Sequence, residues 1–185
     1  TIVDGWLHTG DMGYITSEHP DYLYVTGRFK DLLISANGEK YSPEGFEDSL
    51  TDGSKYISQV VLHNNQNPYT IVLIVPDKDA LREWVKRKGL DPATTEGKRE
   101  MLGKIQADIN EYRKGGKHEG MFPERWLPSA IGLCDQEFTI ANKMMNSTMK
   151  IVRGKVEERY ADLLDYLYTP EGKDIYNERN LKALG

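Results

Sequence analysis

"YTIVLIVPDKDALREWVKRKG", residues 69–89, joins two hydrophobic patterns without a break. Ile71-Val72-Leu73-Ile74-Val75 is uninterrupted and largely β-branched. A strand with one face in water would alternate apolar and polar residues, so this one is expected at the centre of a sheet, covered on both faces. From Asp77 to Lys88 the period changes, with Leu81, Trp84 and Val85 at helical spacing. The expectation is an α+β fold, a small mixed sheet with helices packed on it.

Working outward, Ile57–His63 reads as a second strand, joined to the first by the polar residues Asn64 to Pro68. Upstream, Trp6 to Arg28 alternates short apolar runs with turn residues, as a β-hairpin with its loop around Pro20 does. Leu32-Leu33-Ile34 and Glu39-Lys40-Tyr41 flank Asn37-Gly38, whose tolerance of positive φ suits a tight turn. Ser42, Pro43 and Glu44 stand in the order of a helix start, with Ser42 as N-cap, and Asp52-Gly53 ends that helix. Downstream, Leu102, Ile105, Ile109 and Tyr112 mark a helix after the polar linker 89–97. Residues 113–120, "RKGGKHEG", match neither a phosphate-binding loop nor a dinucleotide fingerprint and read as a solvated loop. A strand is expected from Leu127 to Cys134. One further helix follows, with Val156, Tyr160, Leu163, Leu164 and Leu167 on its apolar stripe and Glu157, Glu158, Arg159 and Asp162 turned away. The polar tail after Pro170 has tyrosines and leucines that could dock on the body.

The 185 residues carry 24 Lys and Arg against 29 Asp and Glu, a net charge of -5, so no overall positive field exists to hold nucleic acid. Cys134 stands alone and reads as a packed, inert thiol. His8, His19, His63 and His118 lack metal-ligand spacing, and no metal site is expected. The longest apolar run is far shorter than the ~20 residues a membrane helix needs. No secretory leader is visible, so the expected location is cytoplasmic. Thr1-Ile2-Val3 runs straight into a motif without an initiator methionine, and the chain is expected to be a piece of something larger.

Four motifs carry chemistry: Thr9-Gly10-Asp11, Thr26-Gly27-Arg28-Phe29-Lys30-Asp31, Asn37 to Pro43, and Ser147-Thr148-Met149-Lys150-Ile151-Val152-Arg153. Each has an ordinary reading of its own: a strand-edge turn, an exposed lysine, a hairpin turn, a β-type alternation. Together, in this order and spread over the chain, they resemble the C-terminal part of the adenylate-forming enzymes, which include acyl-CoA synthetases, adenylation domains of peptide synthetases, and luciferases. The "TMKIVR" form, with no glycine before the lysine, and the insertion between Lys88 and Pro123 look most like the bacterial long-chain fatty acid–CoA ligases.

The resemblance implies a two-step reaction. A carboxylate attacks the α-phosphorus of ATP to give an acyl-adenylate and pyrophosphate, and the CoA thiol then displaces AMP. Asp11 matches the ribose-binding aspartate, Thr9 shapes the turn that brings it in, and Arg28 matches the arginine on ribose and phosphate. Lys30 falls at the hinge between a large and a small domain. Gly38 lies in the loop that meets CoA, and Lys150 matches the lysine that reaches the α-phosphate and the substrate carboxylate during adenylation. It further implies that residues 1–29 end the large domain and residues 30–185 form the mobile lid. The phosphate loop, the adenine segment, the magnesium ligand and the acyl pocket then belong to an N-terminal domain not seen here. On this reading fatty acid, ATP and CoA are the substrates, magnesium is held elsewhere, and the chain alone is inactive. Peripheral membrane association of the full-length enzyme is compatible with it. Two alternatives stay open: a ligase passing an aryl or amino acid to a carrier protein's pantetheine, and a non-catalytic module borrowing this domain. The sequence departs from the family at Ser147, where proline is common, and at Gly154, where a second basic residue is common.

Overall fold

The computed structural model describes residues 1–185. The chain opens with two small hairpins. The first pairs β1 (Ile2–Val3) with β2 (Trp6–Leu7) across Asp4-Gly5, both of which have positive φ, the backbone that a two-residue hairpin turn requires. The second pairs β3 (Asp11–Tyr14) with β4 (Tyr24–Arg28), its loop containing Pro20 as expected. A single 3-10 turn, Phe29–Asp31, leads to β5 (Leu33–Ser35) and β6 (Lys40–Tyr41), antiparallel across Asn37-Gly38.

Helix α1 (Glu44–Gly53) follows. Ser42 does not cap it: its Oγ is buried without a hydrogen-bond partner, in the space that a Cβ on Gly27 would need. The serine faces the hairpin rather than the helix N-terminus, so Pro43 alone begins the turn. Strand β7 (Ile57–His63) comes next, then β8 (Asn65–Asn67), then β9 (Ile71–Pro76). The polar segment read as a plain connection thus contributes a short strand, parallel to β5. Asn64 makes this join: its backbone oxygen accepts from Ile34 and its side chain accepts from the Asn67 N–H.

Helix α2 (Lys78–Arg87) is capped by Asp77, whose carboxylate accepts from the Ala80 N–H at 2.9 Å. Helix α3 (Thr95–Asn110) begins inside the expected linker, because Thr94 caps it through the Gly97 N–H. Of the strand expected from Leu127 to Cys134, only Ala130–Leu133 forms β10; a 3-10 turn, Glu124–Trp126, precedes it. The expected final helix is two, α4 (Arg153–Arg159) and α5 (Ala161–Leu167), broken at Tyr160, whose φ and ψ of -109° and 21° leave the helical region. The tail folds into α6 (Pro170–Lys173) and α7 (Glu178–Ala183).

The central sheet has the order β10-β9-β7, with β10 parallel and β7 antiparallel to β9. Every residue of β9 is buried. Val72 and Ile74 face a core built with α1, α2, α3 and the tail, while Ile71, Leu73 and Val75 face one built with Phe138, Met144, Val156 and α5. The β-branched run is therefore covered on both faces, as its composition demanded. Gly132 in β10 lets α5 approach: a Cβ there would lie 2.7 Å from Leu167 Cδ1. Cys134 is buried, and desolvation pushes its thiol up to about 12.

The free edge of β10 is closed by one side chain of the tail. Asn180, fully buried, accepts from the Leu133 N–H at 2.8 Å and donates to the oxygens of Ile131 (2.8 Å) and Ile175 (2.9 Å). An amide thus stands in for a neighbouring strand. Replacing it leaves buried backbone groups unpaired, at about 1–3 kcal/mol each. Asn180→Leu is expected to lower unfolding free energy by about 3 kcal/mol in denaturant titration, with Asn180→Asp milder.

Candidate functional site

Lys150 sits on a tight hairpin, not on an open loop. Met145 and Ile151 form an antiparallel bridge, and Val152 donates to the Met144 oxygen at 2.8 Å. Between them Asn146 donates to the Lys150 oxygen (2.9 Å) and its own oxygen accepts from Met149 (3.0 Å). Its side-chain Oδ1 accepts from the N–H of Lys150 at 2.9 Å, the N–H of Thr148 at 3.0 Å and the Thr148 hydroxyl at 2.8 Å. Met149 is held at a φ of 63°, a left-handed conformation that a side chain with a Cβ disfavours. Lys150 itself is exposed and belongs to none of the chain's ion pairs.

Both ends of this hairpin are anchored. Upstream, Gln59 on β7 exchanges two bonds with the backbone of Phe138, accepting at 2.7 Å and donating at 3.0 Å. Downstream, Arg153 places Nη2 at 3.0 and 2.9 Å from the two Glu47 oxygens, and Nη1 at 2.7 Å from the Leu62 oxygen. Glu47 also accepts from the Leu62 N–H at 2.6 Å. Both side chains are largely buried, 17% and 12% exposed. Burial works against the Arg153 charge, but the neighbouring Glu47 carboxylate outweighs it and holds the guanidinium above its ordinary pKa. Burial raises the Glu47 carboxyl against the pull of Arg153, while three N–H donors aimed at its oxygens favour the ionised pair.

Lys150 and Asn146 line an open cleft of about 650 Å³ together with Arg28, Asp31, Glu44 and Arg153. The fold thus brings Arg28 and Lys150, from opposite ends of the chain, to one cleft. Asp11 is the register partner of Arg28, and their side chains approach to 3.3 Å while 39% and 57% exposed. Such a surface pair contributes about 1 kcal/mol or less, so both groups can be recruited by a ligand. Thr9 accepts from the Asp11 N–H at 3.1 Å, and Gly10, with φ 85°, turns the chain there.

Of the sequence-predicted residues, Arg28 and Lys150 line this cleft, whereas Asp11, Thr9, Lys30 and Gly38 do not. Lys30 is exposed in the 3-10 turn and lines a smaller cavity of about 170 Å³ with Leu33, His63 and Glu157. The His63 Nδ1 is 2.7 Å from Glu157, so Glu157 is partnered rather than turned away. Gly38 is exposed at φ 83°, on a turn tied by Ser35 and by Asn37, whose Oδ1 accepts from the Glu39 N–H at 3.1 Å. Next to it, Arg125 grips Glu39 with two bonds of 2.6 Å and holds its carboxyl below the usual range. The Glu47–Arg153 pair and Asn146 were not singled out in the sequence. A lone asparagine or glutamate carries no spacing signal, although Arg153 closes the "TMKIVR" motif itself. No group of three or more His, Cys, Asp or Glu side chains converges to hold a metal ion, and no helix is long and apolar enough to cross a membrane.

An α+β domain with a cation on an exposed hairpin defines a class, and the family model for the AMP-binding enzyme C-terminal domain matches residues 30–172. The chain belongs to that family, the C-terminal part of adenylate-forming acyl-CoA synthetases. Among its relatives are a putative fatty-acid–CoA ligase of Mycobacterium tuberculosis, 30% identical over 91% of this chain and 28% of that protein, and a long-chain-fatty-acid–CoA ligase of Gallus gallus, 24% identical over 98% and 25%. In fold it is similar to the adenylation domain of a carboxylate reductase from Mycobacterium chelonae (TM-score 0.71, 23% identity, 89% of this chain and 23% of that one). It also resembles the o-succinylbenzoate coenzyme A synthetase of Bacillus subtilis, solved with AMP (TM-score 0.52, 20% identity, 84% and 25%). The chain spans about a quarter of the length of the curated relatives it matches.

Because Glu47 and Arg153 are buried together, removing one leaves the other uncompensated, a loss of about 3–5 kcal/mol. Arg153→Met is expected to destabilise by about that much, and Arg153→Met with Glu47→Leu by much less than the sum of the single changes. Chemical denaturation of the four variants of the cycle checks this.

Proposed function

We propose that this chain is the C-terminal part of a long-chain fatty acid–CoA ligase, and that Lys150 supplies the charge stabilising acyl-adenylate formation. The observation that carries the reading is the unpaired, exposed ammonium of Lys150 on a braced hairpin at the same cleft as Arg28. A cation about 4 Å from developing negative charge, at an effective dielectric near 20, contributes roughly 4 kcal/mol, about a thousandfold in rate. Asp11, set by Thr9 and Gly10, would hold the ribose hydroxyls, which a carboxylate accepts better than a neutral group. Arg28 would contact ribose and phosphate.

Residues 1–29 are proposed as the end of the large nucleotide-binding domain and residues 30–185 as the lid. Every large apolar side chain left exposed, except Met121, Ile140 and Met149, lies in residues 2–29. So much uncovered apolar surface on two small hairpins supports their packing against a larger body. Lys30 would be the hinge, since a few residues absorb the backbone change of such a swing, and the turn at Gly38 would meet the pantetheine arm of CoA. Magnesium accompanying ATP is assigned to side chains outside residues 1–185. The fatty-acid specificity rests on the names of the relatives, and a cytoplasmic site of action is part of the same proposal. The likeness to carboxylate reductase adenylation domains concerns the fold alone at its 23% identity.

In the full-length enzyme, Lys150→Ala is expected to slow acyl-adenylate formation about a thousandfold in pyrophosphate exchange. Thioester formation from preformed adenylate should change only a few fold, and residues 1–185 alone should give no exchange. Equal losses in both half-reactions, or exchange by the isolated chain, would contradict the reading.

A further inference from the structure

We infer that Asn146 is the positioning residue for Lys150, acting through the backbone on which the lysine stands; the inference rests on the catalytic reading of Lys150 above. A flexible four-carbon side chain can reach a phosphate from many backbone positions. Productive geometry therefore depends on where its Cα is held. In this chain that job falls to one amide. Three donors converge on Asn146 Oδ1, one from Lys150 itself and two from Thr148. The Asn146 backbone takes the other two links, to the Lys150 oxygen and the Met149 N–H.

These bonds do more than close a turn. They hold Met149 at φ 63°, where its Cβ crowds the backbone, and where only glycine would sit without strain. Met149 is also 67% exposed, so no packing of its side chain holds it there. The segment must therefore be fixed by hydrogen bonds, and Asn146 provides them from inside the same cleft that Lys150 and Arg28 line. Removing the amide takes away three of these five links and leaves the two backbone ones, which loosens residue 149 in its left-handed conformation and lets the Lys150 peptide turn from its present direction. Glycine at 149 would restore that backbone without needing Asn146.

The test uses the full-length enzyme with Asn146→Ala, Asn146→Ala/Met149→Gly and Lys150→Ala. Asn146→Ala is expected to lower kcat for acyl-adenylate formation about tenfold, the effect of losing one or two such bonds. The KM for ATP and thioester formation from preformed adenylate should stay within about twofold. Adding Met149→Gly should recover most of the lost kcat while the thermal stability of Asn146→Ala and of the double variant stays close to that of the parent. Unchanged adenylation in Asn146→Ala, while Lys150→Ala remains inactive, would overturn the positioning role and leave the lysine reading intact. Parallel loss of both half-reactions and of thermal stability, with no recovery by Met149→Gly, would overturn it in favour of a purely structural asparagine. Normal adenylation by Lys150→Ala would remove both the reading and this inference.

Discussion

One buried carboxylate, Glu47, fixes the relation between the body of the domain and the segment that carries its free cation. Its two oxygens accept from the Leu62 N–H on β7 and from Nη2 of Arg153, so α1, the sheet and the start of α4 meet at a single pair of oxygens. Taking two charges out of water costs free energy that only good geometry offsets. The arrangement is thus a poor way to gain stability and a good way to specify position. Arg153 is held, and Lys150, three residues earlier, is left free. Of the two cations in one short motif, one is buried against Glu47 and the other stands exposed at the cleft.

The surface divides in the same sense. From Leu33 onward apolar side chains fill two cores on the faces of β9, while residues 2–29 leave theirs in solvent. The hairpins touch the rest at few places, among them Gly27 against Ser42 and Lys40 over the Phe29 ring.

Much of the fold was legible in the sequence where periodicity is set by burial. The run 71–75 announced a two-faced strand, and Leu81 with Val85 announced a helix, because those patterns follow from which face is dry. What escaped depends on partners distant in the chain. Asn65–Asn67 pairs with β5 although its composition suits a turn. Ser42 looked like a cap and is instead packed on Gly27. The apolar stripe of 156–167 runs on through Tyr160, so it gave no sign of the break there. The candidate site was legible as motifs rather than as geometry. Lys150, Arg28 and Asp11 were visible by type and order, whereas Asn146, Glu47 and Asn180 act through bonds that only the folded chain reveals.

The most direct measurement is the position of one nitrogen. In a crystal structure of the full-length enzyme with ATP and a non-reactive carboxylate analogue, Lys150 Nζ should lie about 3 Å from an α-phosphate oxygen, the spacing of a charge-assisted hydrogen bond. Finding that ammonium turned to solvent with the nucleotide in place and the lid closed over it, and another cation at the α-phosphate, would contradict the role assigned to it.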